Sequence, residues 1–180
     1  MPLSITIEKR ELYDEKENRF IEIPTRTIVL EHSLLSISKW ESKWHKPFFT
    51  NNKKSKEEMI DYVRCMTISG TCDPEHYYGL SSKNWKEIHD YIQNPMTATT
   101  VKNSMSRSNN EVLTNELVYY WMTELNIPFS CDKWHINRLL TLIEVASIKK
   151  KPPKKMSQSA VMRQNHALNA ARRAKYGTRG

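Results

Sequence analysis

The run from Thr114 to Ile148, TNELVYYWMTELNIPFSCDKWHINRLLTLIEVASI, constrains the fold more than any other stretch of this chain. Its apolar residues recur with a helical period twice over. Leu117, Val118, Trp121, Met122 and Leu125 fall at i, i+1, i+4, i+5 and i+8; Ile136, Leu139, Leu140 and Ile143 fall at i, i+3, i+4 and i+7. Such spacing gathers apolar side chains on one helix face, which then needs a surface to bury against. Thr114 suits an N-cap, and Glu116 puts negative charge in the first turn, where the helix dipole favours it. Pro128 ends the first helix, because the residue before a proline avoids the helical region. Ser130 or Asp132 is expected to cap the second. The short connection predicts two helices packed on each other, with Ile127 and Phe129 plugging the corner around the proline. The whole stretch reads as core and carries no catalytic constellation.

Upstream, Leu3, Ile5 and Ile7 alternate with Ser4, Thr6 and Glu8, the pattern of a half-buried strand. A polar turn at Asp14–Asn18 leads to Arg19–Leu30, where Phe20, Ile21, Ile23, Ile28, Val29 and Leu30 are interrupted by Pro24. This predicts a long β-hairpin whose second strand breaks near the proline. Leu34, Leu35, Ile37, Trp40 and Trp44 follow at helical spacing, with Lys43, His45 and Lys46 at the C-terminal end and Pro47 as the stop. Phe48 and Phe49 read as core plugs.

Ser55 and Glu58 have capping-box spacing. The helix they open carries Met59, Ile60, Tyr62, Val63 and Met66 and ends before Gly70. Asp73-Pro74 opens a one-turn helix to about Gly79. Ser81 or Ser82 caps another, with Trp85, Ile88, His89 and Ile92 on its apolar side and Asn94-Pro95 at its end. Met96–Val101 and Glu111–Leu113 suggest a small hairpin around a polar loop. After Ile148 the sequence KKKPPKKMSQ has nothing to bury. Ser157–Tyr176 regains weak helical character through Ala160, Val161, Ala167, Leu168, Ala170 and Ala171, and Gly177 ends it. The fold class expected is α+β, mainly α: an N-terminal β-hairpin (1–30), a compact helical body (31–148) and a basic C-terminal extension (149–180).

Charge sharpens that division. The net charge is +8, yet ten Lys or Arg and no acid lie in 149–180, leaving 18 basic and 20 acidic residues elsewhere. The basicity therefore belongs to the extension. Four glycines in 180 residues suit helices better than a barrel. The longest apolar run, Leu117–Met122, is too short to cross a membrane, and the N-terminus lacks the apolar core of a signal peptide. Three cysteines, Cys65, Cys72 and Cys131, point to free thiols in a reducing cytoplasm.

Candidate chemistry is sparse. Cys72 with His76 and Cys131 with His135 share a four-residue spacing that would place each pair on one helix face, but without a CxxC anchor they read as packed thiols and histidines, and no metal is expected. Cys65, His89 and Asp90 could be drawn together as a nucleophile set, but no GxSxG, HExxH, Walker A or GxGxxG string is present, so the chain does not read as an enzyme and no cofactor is expected. The helix pair invites comparison with a helix-turn-helix, with Lys133, Asn137, Arg138 and Thr141 facing a groove. Asp132 and Glu144 on the same segment would repel phosphate, and the usual glycine-bearing turn is absent. The extension, with Arg163, Arg172 and Arg173 on its helical part, has only Tyr176 for base stacking. Docking on an acidic protein partner ranks ahead of a plain solvated tail, and nucleic acid comes last.

Three strings, LEHSLLSISKWESKWHKPF, TNELVYYWMTELNIPFSCDKWHINRLLTLI and ALNAARRAKYGTRG, resemble a family of small proteins of tailed bacteriophages, the tail assembly chaperones. The likeness runs from about Leu30 to the end. The strings identify a relative without a catalytic signature or a residue-level binding motif. The resemblance implies an assembly factor of the host cytoplasm, absent from the finished virion. Such proteins bind the tape-measure protein, keep its long apolar helices from aggregating, and help tail-tube subunits polymerise around it. The expected partners are thus the tape-measure protein and the tail-tube protein, with self-association open and no membrane. Candidate contacts are Trp40, Trp44, Tyr119 and Tyr120 for an apolar helix, and Arg163, Arg172 and Arg173 for acidic groups. The competing readings are a structural virion protein at a head–tail or tail-tube joint, and the helix-turn-helix nucleic-acid binder.

Overall fold

Successive side chains of a strand point to opposite faces, so an alternating sequence buries one face only. In the computed structural model, which describes residues 1–14, 18–50, 53–70, 72–100, 112–150 and 157–177, the N-terminal segment obeys this rule. Strand β1 (Leu3–Ile7) pairs antiparallel with β4 (Arg26–Leu30), and β2 (Arg10–Asp14) with β3 (Arg19–Ile23). Leu3 lies opposite Leu30 and Ile7 opposite Arg26; Arg10 lies opposite Ile23 and Asp14 opposite Arg19. This is one long hairpin, broken in both arms and not only at Pro24. Glu8 and Lys9 leave the ladder where the proline does, and Lys9 N donates to Thr25 Oγ1 beside the break (3.1 Å). Ile5, Ile7, Ile23, Ile28 and Leu30 are buried. Strand β2 is not: its residues are half-buried or exposed, so the outer half of the hairpin leaves the core.

The chain divides into two compact units, Met1–Ile148 and Lys149–Gly180. Ser33 and Ser36 form a capping box that opens α1 (Leu34–Trp44). That helix ends at His45, which adopts the left-handed region (φ 52°), two residues before Pro47. Helix α2 (Lys56–Met66) opens on the expected box: Ser55 N donates to Glu58 Oε2 (2.7 Å) and Glu58 N to Ser55 Oγ (3.1 Å). Its exit extends the inner sheet, with Ile68 N donating to Val29 O at 2.9 Å. The 3₁₀ helix Pro74–Gly79 presses on β3. A Cβ on Gly79 would sit 2.8 Å from Ile23 Cδ1, so only glycine permits this approach. Helix α3 (Ser82–Gln93), boxed by Ser81 and Asn84, lies over β1, where Asn84 Nδ2 donates to Thr6 O (3.2 Å).

Beyond α3 the structure corrects several expectations. The buried face of α3 carries Asn84, Ile88 and Tyr91, while His89 is exposed. The face is rotated because the Tyr91 ring and hydroxyl are drawn into a buried polar cluster. Met96–Thr100 and Val112–Leu113 contain no strand; the rest of the small hairpin expected there lies outside the described residues. Helices α4 (Asn115–Glu124) and α5 (Ile136–Lys150) form as expected, but the main partner of α4 is α1, not α5. The connection between them is itself a 3₁₀ helix, Phe129–Lys133, which packs on α1 and holds the two helices apart. Ser130 and Asp132 lie inside that helix and cap nothing. Ile127 is buried, but Phe129 is 59% exposed and plugs no corner.

The N-terminus of α4 shows why α1 is its partner. Thr114 makes no side-chain cap. Instead Glu41, buried on α1, accepts from Asn115 N (2.8 Å) and Asn115 Nδ2 (2.5 Å), and its other oxygen accepts from Phe48 N (2.6 Å). A carboxylate on one helix thereby satisfies an orphan donor of another. A second buried cluster ties β4, α2, α3 and α5 together. His32 Nδ1 lies 2.5 Å from Tyr62 Oη, and the His32 ring meets that of His135 edge to face at 5.0 Å. His135 Nε2 donates to Tyr91 O (3.1 Å), which leaves its Nδ1 to accept from Asn137 N (3.3 Å) at the start of α5.

In the second unit, α6 (Gln158–Tyr176) opens on Ser157, whose Oγ accepts from Ala160 N (3.3 Å), and closes at Gly177 in the left-handed region (φ 63°). None of its residues is buried.

Candidate partner-binding surface

Two adjoining depressions run along the outer side of α2. The smaller, about 260 Å³, lies between the end of α1 and the 3₁₀ helix Pro74–Gly79, with Trp44, Ile60, Tyr77 and Tyr78 among its walls. The larger, about 690 Å³, lies under the β2–β3 ribbon, with Leu12, Tyr13, Ile21 and Tyr78. Glu57, Pro74 and Tyr78 line both, so the two form one trough. Its floor is aromatic and aliphatic. Its lining mixes Lys43, Lys56 and Arg64 with Glu57, Glu75 and the buried Asp61.

Each wall is held in place by specific bonds. Trp44 is half-buried, and its Nε1 donates to Asp61 Oδ2 (2.9 Å). Asp61 is buried and also accepts from Lys43 Nζ (2.6 Å) and pairs with Arg64 Nη2 (3.1 Å). That carboxylate orients the indole and two rim cations together. Lys43 and Lys46 sit 5.6 and 5.9 Å from the Trp44 ring centroid, within cation–π range. On the far side Arg19 Nη2 meets Glu75 Oε1 at 2.6 Å, joining the ribbon to the 3₁₀ helix. Tyr77 turns into the core while its neighbour Tyr78 stays 50% exposed.

The expected contact residues are dispersed. Trp44 lines the trough. Trp40, four residues earlier, is a core side chain: it is 1% exposed, with Nε1 donating to Glu58 O (2.9 Å), and presents nothing to a partner. Tyr119 and Tyr120 on α4 line neither depression. Tyr119 donates to Asp132 Oδ2 (3.3 Å); burial and that carboxylate push its hydroxyl up to about 12. Its ring packs against Phe129 at 5.9 Å, with Tyr120 exposed beside it on α4. Arg163, Arg172 and Arg173 are exposed on α6. Leu12, Tyr13, Ile21, Ile60, Pro74 and Tyr78 were not foreseen. The one legible signal was the Tyr77-Tyr78 pair, since a helix of six residues cannot bury two adjacent aromatics on one face.

Other sequence candidates lie apart. Cys72 Sγ is 3.6 Å from His76 Nδ1, whereas Cys131 is buried near the start of α5. Among the described residues, no three His, Cys, Asp or Glu are grouped to hold a metal. Burial, then Asp61, pushes the Cys65 thiol up, which disfavours the nucleophilic thiolate. His89 is exposed on α3. Of the helix-turn-helix residues, Asn137 donates to Ile92 O (3.0 Å) and Asn94 O (2.9 Å), and Arg138 stacks on Trp134 at 4.2 Å. Among the described residues, no helix is long and apolar enough to cross a membrane. Compared with known protein families, curated proteins and solved structures, the chain matches none.

Proposed function

We propose that this chain is a tail assembly chaperone of a tailed bacteriophage, which acts in the host cytoplasm by holding apolar helical segments of the tape-measure protein before the tail tube closes around them. The observation that carries the reading is the trough along α2. It offers an apolar floor to the buried face of an amphipathic helix, and charges of both signs along its rim for the flanks. Helix-in-groove binding requires that combination. A tape-measure chain is long and helical, and its apolar faces stay uncovered until assembly. The family resemblance in the 30–48, 114–143 and 167–180 strings supports the same reading, and the basic α6 suits acidic stretches of the same partner.

Co-expression with the tape-measure protein tests this. Tyr78→Glu puts a charge at the junction of the two depressions on a side chain already half exposed, so the fold should survive. It should abolish recovery of soluble tape-measure protein, whereas Tyr120→Glu on α4 should leave recovery intact. Equal capture by wild type and Tyr78→Glu would refute the trough as the site. Stoichiometric presence of the chain in purified particles would instead favour a structural protein of the head–tail or tail-tube joint.

A further inference from the structure

We propose that β2 is a self-pairing edge, through which two copies of the chain join antiparallel about Leu12 into one four-stranded sheet. Strand β2 pairs with β3 on one side, and among the described residues nothing pairs with its other side. An unpaired edge carries a row of N–H and C=O groups ready to bond another strand. Its sequence, Arg10-Glu11-Leu12-Tyr13-Asp14, carries opposite charges at its two ends and an apolar residue at its centre, so a reversed copy matches it at those three positions. With Leu12 opposite the partner's Leu12, each Arg10 faces the partner's Asp14, and each Glu11 faces the partner's Tyr13.

The neighbouring registers are worse. Opposed residues must lie on the same face of a sheet, so the pairing shifts only in steps that keep faces matched. Centring on Glu11 sets two glutamates against each other. Centring on Tyr13 sets Leu12 against Asp14 and leaves Arg10 and Glu11 with no partner in the strand. Like charges directly opposite destabilise a sheet, and opposite charges support it.

The hairpin register extends the argument across all four strands. Leu12 lies opposite Ile21 in its own hairpin, so the joined sheet carries an unbroken apolar row: Ile21, Leu12, then the second copy's Leu12 and Ile21. Asp14 lies opposite Arg19, so the row beside it reads Arg19, Asp14, then the second copy's Arg10 and Ile23. Each Asp14 then sits between two arginines. The Arg10 Nε is a buried donor with no partner among the described residues, and buried donors are nearly always satisfied. The second copy brings a carboxylate alongside it. Charges on an edge strand often serve to keep other strands away. Here their order favours one specific visitor, a reversed copy of the same strand.

Leu12, Tyr13 and Asp14 of this strand also line the larger depression, but the pairing needs no trough ligand, and purified chain alone tests it. Sedimentation at low ionic strength, from micromolar to submillimolar protein, should show wild type passing from monomer to dimer, with added salt reversing the change. Arg10→Asp and Asp14→Arg should each stay monomeric, because each meets like charge in its own copy. Mixed in equal amounts the two variants should dimerise, since the strand of one then carries acid at both ends and the strand of the other carries base at both. A wild type that stays monomeric, a dimer that persists in both variants, or a mixture of folded variants that fails to dimerise would each overturn the proposal. Should Asp14→Arg not fold, because it faces Arg19, hydrogen exchange on wild type decides. Amides within residues 10–14 should become protected as concentration rises, and unchanged exchange there overturns the pairing.

Discussion

Acid should unfold this protein through His32, and the size of the effect follows from its surroundings. The side chain is 3% exposed. Burial first, and the neighbouring His135 second, lower its pKa from 6.5 to about 3. The folded state therefore holds His32 neutral over a range where the unfolded chain protonates it. Its stabilising effect is complete above pH 6.5 and is lost as pH falls from there toward the folded value. One pKa unit corresponds to about 1.4 kcal/mol, so at pH 5 the loss from this residue is about 2 kcal/mol, with a ceiling of about 5 kcal/mol below pH 3. The pKa of His135 is also lowered, by burial, and acts in the same direction. A domain is stable by only about 5–15 kcal/mol, so the change is easily measured. Urea unfolding followed by tryptophan fluorescence at pH 7.5, 6 and 5 should show stability falling steadily. His32→Asn keeps a polar atom near Tyr62 but cannot titrate. It should be less stable at pH 7.5, having lost the ring contacts, and should fall less with acid by about 2 kcal/mol over the same interval. Carboxylates that also titrate contribute equally to both proteins and cancel. Parallel pH profiles for wild type and variant would refute the reasoning.

Two further substitutions probe the packing. Glu41→Gln turns a three-fold acceptor into a group with an N–H directed at other donors, and should cost about 2–4 kcal/mol in urea unfolding; a loss below about 1 kcal/mol would show that the α1–α4 junction does not depend on this carboxylate. Gly79→Ala forces a methyl against Ile23 and should cost about 1–3 kcal/mol, read as a lower thermal midpoint, with a stabilised variant counting against the close approach.

The sequence declared its local devices. Ser55 and Glu58 sit at capping-box spacing and form both bonds, and the Leu3–Ile7 alternation put Ile5 and Ile7 in the core, because those signals act within one element. What escaped was set by residues remote in the chain. The cap of α4 comes from Glu41, 74 positions upstream of Asn115, and no local pattern announces it. Trp40 and Trp44 share a helix face, yet one is core and the other lines a trough. Both meet α2, Trp40 through Glu58 O and Trp44 through Asp61, but Trp40 is also covered by Phe48, which comes from beyond the end of the helix. The trough itself is assembled from the β2–β3 ribbon, α2 and a 3₁₀ helix, so its lining residues are not periodic in any one of them.

Removing the basic extension separates folding from binding. Helix α6 has no buried residue, so it brings almost no apolar burial to offset the roughly 1–2 kcal/mol of backbone entropy that each ordered residue costs. A chain ending at Lys150 keeps α5 whole and loses only the linker and α6. Its urea midpoint should match that of the full chain, with stability changed by no more than about 0.5 kcal/mol. What it loses is charge: of the ten basic residues beyond Ile148, eight lie beyond Lys150, and no acid accompanies them. If Arg163, Arg172 and Arg173 meet carboxylates on the tape-measure protein, capture should weaken on truncation. Added salt should then weaken capture by the full chain more than capture by the truncated one, because only the full chain retains the screened contribution. A truncated chain that unfolds would place α6 among the stabilising elements. Equal salt dependence of the two chains would remove the charge of the extension from the binding surface.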